Sequence, residues 1–131
     1  MRSFAIASFA LWAVVSFGCS SLVQSASPFE EKQARCELRP GTPQCTDWRK
    51  YKGPSMATMQ GVCSTLASAK KDATGWTEGS TCASAESLGG CTTTSGDGTV
   101  QTNWYFKSEK YMTAEIAKMQ CSSDQTWTGP L

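Results

Sequence analysis

Cys91-Thr92-Thr93-Thr94-Ser95-Gly96-Asp97-Gly98-Thr99-Val100-Gln101-Thr102-Asn103-Trp104-Tyr105-Phe106 reads as a β-hairpin. Its arms carry β-branched and aromatic residues, which suit a pleated, half-buried surface, and they flank the turn formers Ser95-Gly96-Asp97-Gly98. Alternation along the second arm puts Trp104 and Phe106 on one side and Tyr105 on the other. Downstream, Thr113 is placed to cap a helix over 114–121 in which Ile116 and Met119 share a face with Met112. Ser122-Ser123-Asp124 ends that helix, and Gln125-Thr126-Trp127-Thr128 reads as an edge strand.

Upstream the pattern is weaker. Phe29 to Leu38 reads as a short helix or turn carrying Cys36, closed by the breakers Pro40-Gly41-Thr42-Pro43. Ser55 to Gln60, after Pro54, suits one or two helical turns, and Gly61-Val62-Cys63-Ser64-Thr65-Leu66 reads as a short strand. That segment echoes Gly89 to Thr94, and a tryptophan follows each cysteine by thirteen residues, at Trp76 and Trp104. Residues 67–88 give no clear signal. The fold expected is a small disulfide-rich α+β domain over 28–131, built of short β-hairpins with one or two short helices.

Such a domain has a thin core, because only 20 large apolar or aromatic side chains occur from Pro28 onward. Covalent staples are therefore expected. Seven cysteines are present, and six of them, Cys36, Cys45, Cys63, Cys82, Cys91 and Cys121, fall in the domain. An even set in a short exported chain reads as a disulfide framework. Local closure favours Cys36 with Cys45, Cys63 with Cys82 and Cys91 with Cys121. The chain has no histidine and no Cys-x-x-Cys pair, so neither a metal site nor a cofactor is expected.

The leader decides the compartment. Met1-Arg2 is followed by an apolar run from Phe4 to Phe17, too short to span a bilayer and laid out as a signal peptide over 1–18. Two cleavage sites compete: before Cys19, which would then be lipidated, or after Ser25 in Val23-Gln24-Ser25. Residues 19–27 read as a lipid-attached flexible tether.

Removing Arg2 with the leader leaves 11 basic and 11 acidic residues, and no basic run extends beyond Arg49-Lys50-Tyr51-Lys52. Nucleic acid has no electrostatic footing on such a surface. Ser68-Ala69-Lys70-Lys71 matches a Ser-x-x-Lys spacing, but its companion motifs are missing and a histidine triad is impossible, so no catalytic residue is assigned. Asp97 reads as turn chemistry. The aromatics Trp76, Tyr105 and Trp127 are the candidate binding surface, for a flat ring that stacks on a sugar or a protein partner.

Gly18-Cys19-Ser20-Ser21 after a short signal, a Gly-x-Cys-Thr-Thr strand, Trp104-Tyr105-Phe106 and the Thr113-Ala114-Glu115 helix ending in Cys121 together resemble small cysteine-rich lipoproteins of Gram-negative bacteria. The resemblance implies an envelope protein and brings no activity. The expectation is a non-enzymatic cell-envelope lipoprotein, structural or partner-binding, held by lipid on Cys19, at the outer membrane. The rival is a secreted soluble effector or inhibitor that binds a foreign protein or glycan.

Overall fold

The computed structural model describes residues 31–51 and 55–131. The expected signal peptide and tether, with Cys19 and Pro54, lie outside the described residues. The described part is built on one six-stranded antiparallel sheet, with strands β1 (Lys32–Glu37), β2 (Gln44–Tyr51), β3 (Gly75–Glu78), β4 (Gly89–Thr94), β5 (Val100–Tyr105) and β6 (Thr126–Thr128) in the order β3-β1-β2-β5-β4-β6. Helices α1 (Ser55–Ser68) and α2 (Ala114–Lys118) complete it. Helix and disulfide are present as expected, but the weight lies on the sheet.

The hairpin at the centre of the sequence reading is β4–β5, with Cys91 opposite Asn103 and Thr94 opposite Val100. Its turn is tied by Asp97, whose Oδ1 accepts from the Thr99 amide at 2.9 Å. The edge strand expected at 125–128 is β6, paired to β4. Thr113 caps α2 by accepting from the Ile116 amide. This helix is shorter than expected and buries Ala117, while Met112 and Met119 stay exposed.

Three upstream expectations are corrected. The segment read as a helix or turn at 29–38 is β1 over its described part, pinned between β2 and β3 by main-chain pairing on both sides. Gly61 to Leu66 is not a strand but the middle of α1. Met56, Met59, Cys63 and Ala67 recur at helical spacing and pack on the sheet, and that buried face outweighs the β preference of Val62 and Thr65. The echo between 61–66 and 89–94 therefore has no structural counterpart, since one copy is helical and the other a strand.

The disulfides are Cys36–Cys63, Cys45–Cys82 and Cys91–Cys121. Only the last matches the pairing expected from local closure. Cys36 lies opposite Thr46, and Glu37 lies opposite Cys45. Because side chains alternate, Cys36 and Cys45 point to opposite faces of the sheet and cannot meet. Each reaches instead to the element packed on its own face.

Both helices stand on one face. There Ala34, Cys36, Leu38, Trp48 and Tyr51 pack under α1, and Cys91, Tyr105 and Tyr111 pack under α2. One extra residue in β2 between Trp48 and Tyr51, at Lys50 with φ 57°, is a bulge that brings both aromatics to this face. The other face buries Cys45, Cys82, Trp104 and Phe106 beneath the segment before β4. Arg39 closes that end, holding Glu37 through Nε and Nη2 at 2.8 and 2.7 Å and stacking 3.6 Å above the Phe106 ring.

Candidate functional site

The candidate aromatic surface is not assembled. Tyr105 is 5% exposed and packs edge-on against Tyr111 at 4.9 Å, so its ring is not offered to a ligand. Trp76 sits on β3 and Trp127 on β6, at opposite edges of the sheet, and both are half-buried against core clusters. Trp76 packs on Trp48 at 5.5 Å. Its neighbour Trp48 is a core residue, and Arg49 of the basic cluster faces the other way.

Two polar systems remain, one on each face. On the face away from the helices, Asp47 is 2% exposed, and its Oδ2 accepts from Trp104 Nε1 at 2.9 Å and from the Cys82 amide at 3.2 Å. Arg49 Nε stands 3.4 Å from Oδ1, and Arg49 Nη2 donates to Thr102 at 2.6 Å. Thr102, Thr92 and Thr128 continue the chain of bonds across β5, β4 and β6. Burial pushes the Asp47 carboxyl above its ordinary value, although Trp104, Cys82 and Arg49 all pull the other way. A carboxylate bound to a buried indole ties neighbouring strands together.

On the helix face the geometry is more open. α1 lies over β1 and β3, and α2 lies over β4. Of the two central strands, β2 sends Trp48 and Tyr51 under α1 and β5 sends Tyr105 under α2, while Gln44, Thr46, Gln101 and Asn103 on the same face stay half-buried. Cys36, Thr46, Asn103 and Cys91 form one cross-strand row, with Cys36 bridged to α1 through Cys63 and Cys91 bridged to Cys121, three residues past the end of α2. Strands β1 and β4 are three spacings apart, roughly 14 Å at ~4.8 Å each. Helices in direct contact stand about 8–10 Å apart. Between the two helix attachments the sheet face is left with half-buried polar side chains, a shallow trough bounded at the Gln44 end, where Tyr111 packs on Tyr105.

Its floor is made of half-buried, uncharged side chains: Gln44, Thr46, Gln101 and Asn103, with Thr93 and Gln125 beside them. Trp48 Nε1 donates to Gln101 Oε1 at 2.9 Å. An indole N–H can only donate, so it is the Gln101 oxygen that faces it. Thr46 bonds Asn103 Oδ1 at 2.9 Å, and Gln44 Nε2 donates to the Tyr111 hydroxyl at 2.9 Å. Gln125 bridges the Ser122 amide and Thr93. The floor is thus made of carboxamides and a hydroxyl that bond to one another or to Trp48 and Tyr111, without charge.

Sequence reasoning passed over these four residues. Their signal is the second arm of the hairpin, where Gln101 and Asn103 alternate with Thr102 and Trp104. That spacing places two carboxamides on the helix face, where a fully covered strand would carry apolar residues.

Elsewhere, the outer surface of α1 has a shallow depression lined by Ala57, Thr58, Gly61, Val62, Thr65 and Leu66, with Val62 52% and Leu66 46% exposed. Ser68 at the end of α1 donates its hydroxyl to the Thr65 carbonyl at 2.9 Å. Among the described residues no group of His, Cys, Asp or Glu is placed to hold a metal ion, and no helix is long and apolar enough to cross a membrane. No protein-family model matches the chain, and neither a curated protein nor a solved structure is similar to it.

Proposed function

We propose that this chain is a non-enzymatic binding module of the cell envelope, exported by residues 1–18, held at a membrane by lipid on Cys19, and presenting the trough between α1 and α2 to a partner. The observation that carries the reading is the band of half-buried, uncharged hydrogen-bonding side chains, Gln44, Thr46, Gln101 and Asn103, on the sheet face between the attachments of α1 and α2. Three disulfides support an oxidising compartment, and Gly18-Cys19-Ser20-Ser21 supports the tether. The trough floor holds no titratable side chain apart from Tyr111 at its closed end, which suits recognition better than proton transfer.

A photo-crosslinking amino acid tests the surface directly. Placed at Gln125, beside the trough, it should yield adducts with an envelope component in intact cells. Placed at Thr94, exposed at the end of β4, it should not. Equal labelling from both positions, or none from Gln125, contradicts the reading. Release of a soluble form after cleavage behind Ser25 would leave the same trough on a secreted protein.

A further inference from the structure

We infer that the outer face of α1 joins a second copy of this chain, helix against antiparallel helix, about a two-fold axis between Gly61 and Val62. This surface is separate from the trough and does not rest on it. A helix that packs one face on a sheet ordinarily turns charged residues to water. None of the 14 residues of α1 is charged, although 18% of the chain is. Met56, Met59, Cys63 and Ala67 take the sheet side, which leaves Val62 and Leu66 exposed on the outer one. They border an open hollow of about 430 Å³ at Gly61, where an added Cβ would meet nothing within 4 Å.

Two properties of that face point to a second copy as its occupant. The first is self-complementarity. The six residues lining the hollow are symmetric in sequence about the middle of α1, so an antiparallel copy sets Ala57 against Leu66, Gly61 against Val62 and Thr58 against Thr65. Each large apolar side chain then meets a small one, which lets the two helices approach. The second property is charge. No acidic residue lies in the first turn of α1 and no basic residue in its last, so its own side chains leave both poles of the helix dipole uncompensated. An antiparallel neighbour places the opposite pole beside each. A foreign protein or a lipid surface could meet the same apolar residues, but neither accounts for the symmetric matching. Contact through one helix about 21 Å long is smaller than a standard interface, so the pair forms in a concentration-dependent equilibrium with the monomer.

The test is sedimentation equilibrium of the full exported, oxidised protein in a density-matched detergent, which accommodates an acylated N-terminus. Wild type should show a monomer–dimer equilibrium that is the same at low and high salt, since no charge lies in the contact. Val62→Glu puts an unpaired charge there and should weaken the dimer at least tenfold, with its Tm kept because Val62 is exposed in the monomer. Ala57→Glu and Leu66→Lys each suit the helix dipole, so both should fold and both should weaken the dimer. Combined, they should associate more tightly than either alone, because the antiparallel pair brings position 57 of one copy to position 66 of the other. A monomer at every concentration overturns the inference, as does a dimer that Val62→Glu leaves intact. A combined variant no tighter than the single ones overturns the antiparallel arrangement. Binding of a monomeric Cys19→Ser chain to phosphatidylglycerol vesicles, lost in Val62→Glu, would assign the face to a lipid surface and overturn the inference too.

Discussion

Cys36 and Cys45 lie on neighbouring strands one register position apart and face opposite sides of the sheet. That relationship decides the framework. Cys36 is directed to α1 and Cys45 to the segment before β4, so the sheet is stapled through both faces.

Peptide mapping of the oxidised protein should recover Cys36 with Cys63, Cys45 with Cys82 and Cys91 with Cys121. Replacing Cys45 and Cys82 together by Ala opens a bridge spanning 37 residues. The chain-entropy relation puts the loss at about 4 kcal/mol, enough to leave a small domain marginal. Denaturant unfolding of the double variant measures it.

Asp47 predicts an unusual pH response. Its carboxyl is raised from the ordinary 3.8 chiefly by burial. Between that value and the folded one, the native state keeps a proton that the unfolded chain has lost. Its contribution to stability therefore falls as pH rises through the window. The Tm of wild type relative to Asp47→Asn should be higher near pH 4 than at pH 7. A difference that moves the other way would mean that the fold prefers the carboxylate.

Two glycines should respond with opposite sign. Gly61 sits inside α1 with nothing within 4 Å of an added Cβ, so Gly61→Ala should stabilise by about 1 kcal/mol. Gly90 lies in β4, where a Cβ would meet Thr102 at 2.6 Å, Trp104 at 2.9 Å and the Asn103 carbonyl at 3.0 Å. Gly90→Ala should cost about 1–3 kcal/mol by overpacking. Thermal unfolding of both variants checks the pair.

Much of the fold was legible after Gly89 and little before it. The β4–β5 hairpin, the Thr113 cap and the β6 edge are set by local turn and cap chemistry, which sequence displays directly. β1 is extended because β2 and β3 flank it, a long-range cause that Phe29 to Leu38 does not display. α1 runs through Gly61 because Met56, Met59, Cys63 and Ala67 find the sheet, which overrides a local strand preference. The trough was hidden for a related reason. Gln101 and Asn103 look like ordinary polar strand residues until the packing of α1 and α2 on the same face shows them lying between the two helices.

The proposed tether makes a separable prediction. Acyl chains contribute roughly 0.8 kcal/mol per buried CH₂, and two or more give stable anchoring. Replacing Cys19 by Ser should move the protein from the membrane fraction to the soluble one with its disulfides and Tm unchanged. Retention at the membrane would point to a partner holding it there. Unfolding of the exported variant would place Cys19 within the disulfide framework.

The mature N-terminus carries the most direct test of the proposed envelope lipoprotein. Mass spectrometry of the protein isolated from membranes should find a chain that begins at Cys19 with diacylglyceryl on its sulfur. A chain that begins at Ala26 without lipid would contradict the anchored form and assign the protein to the secreted class.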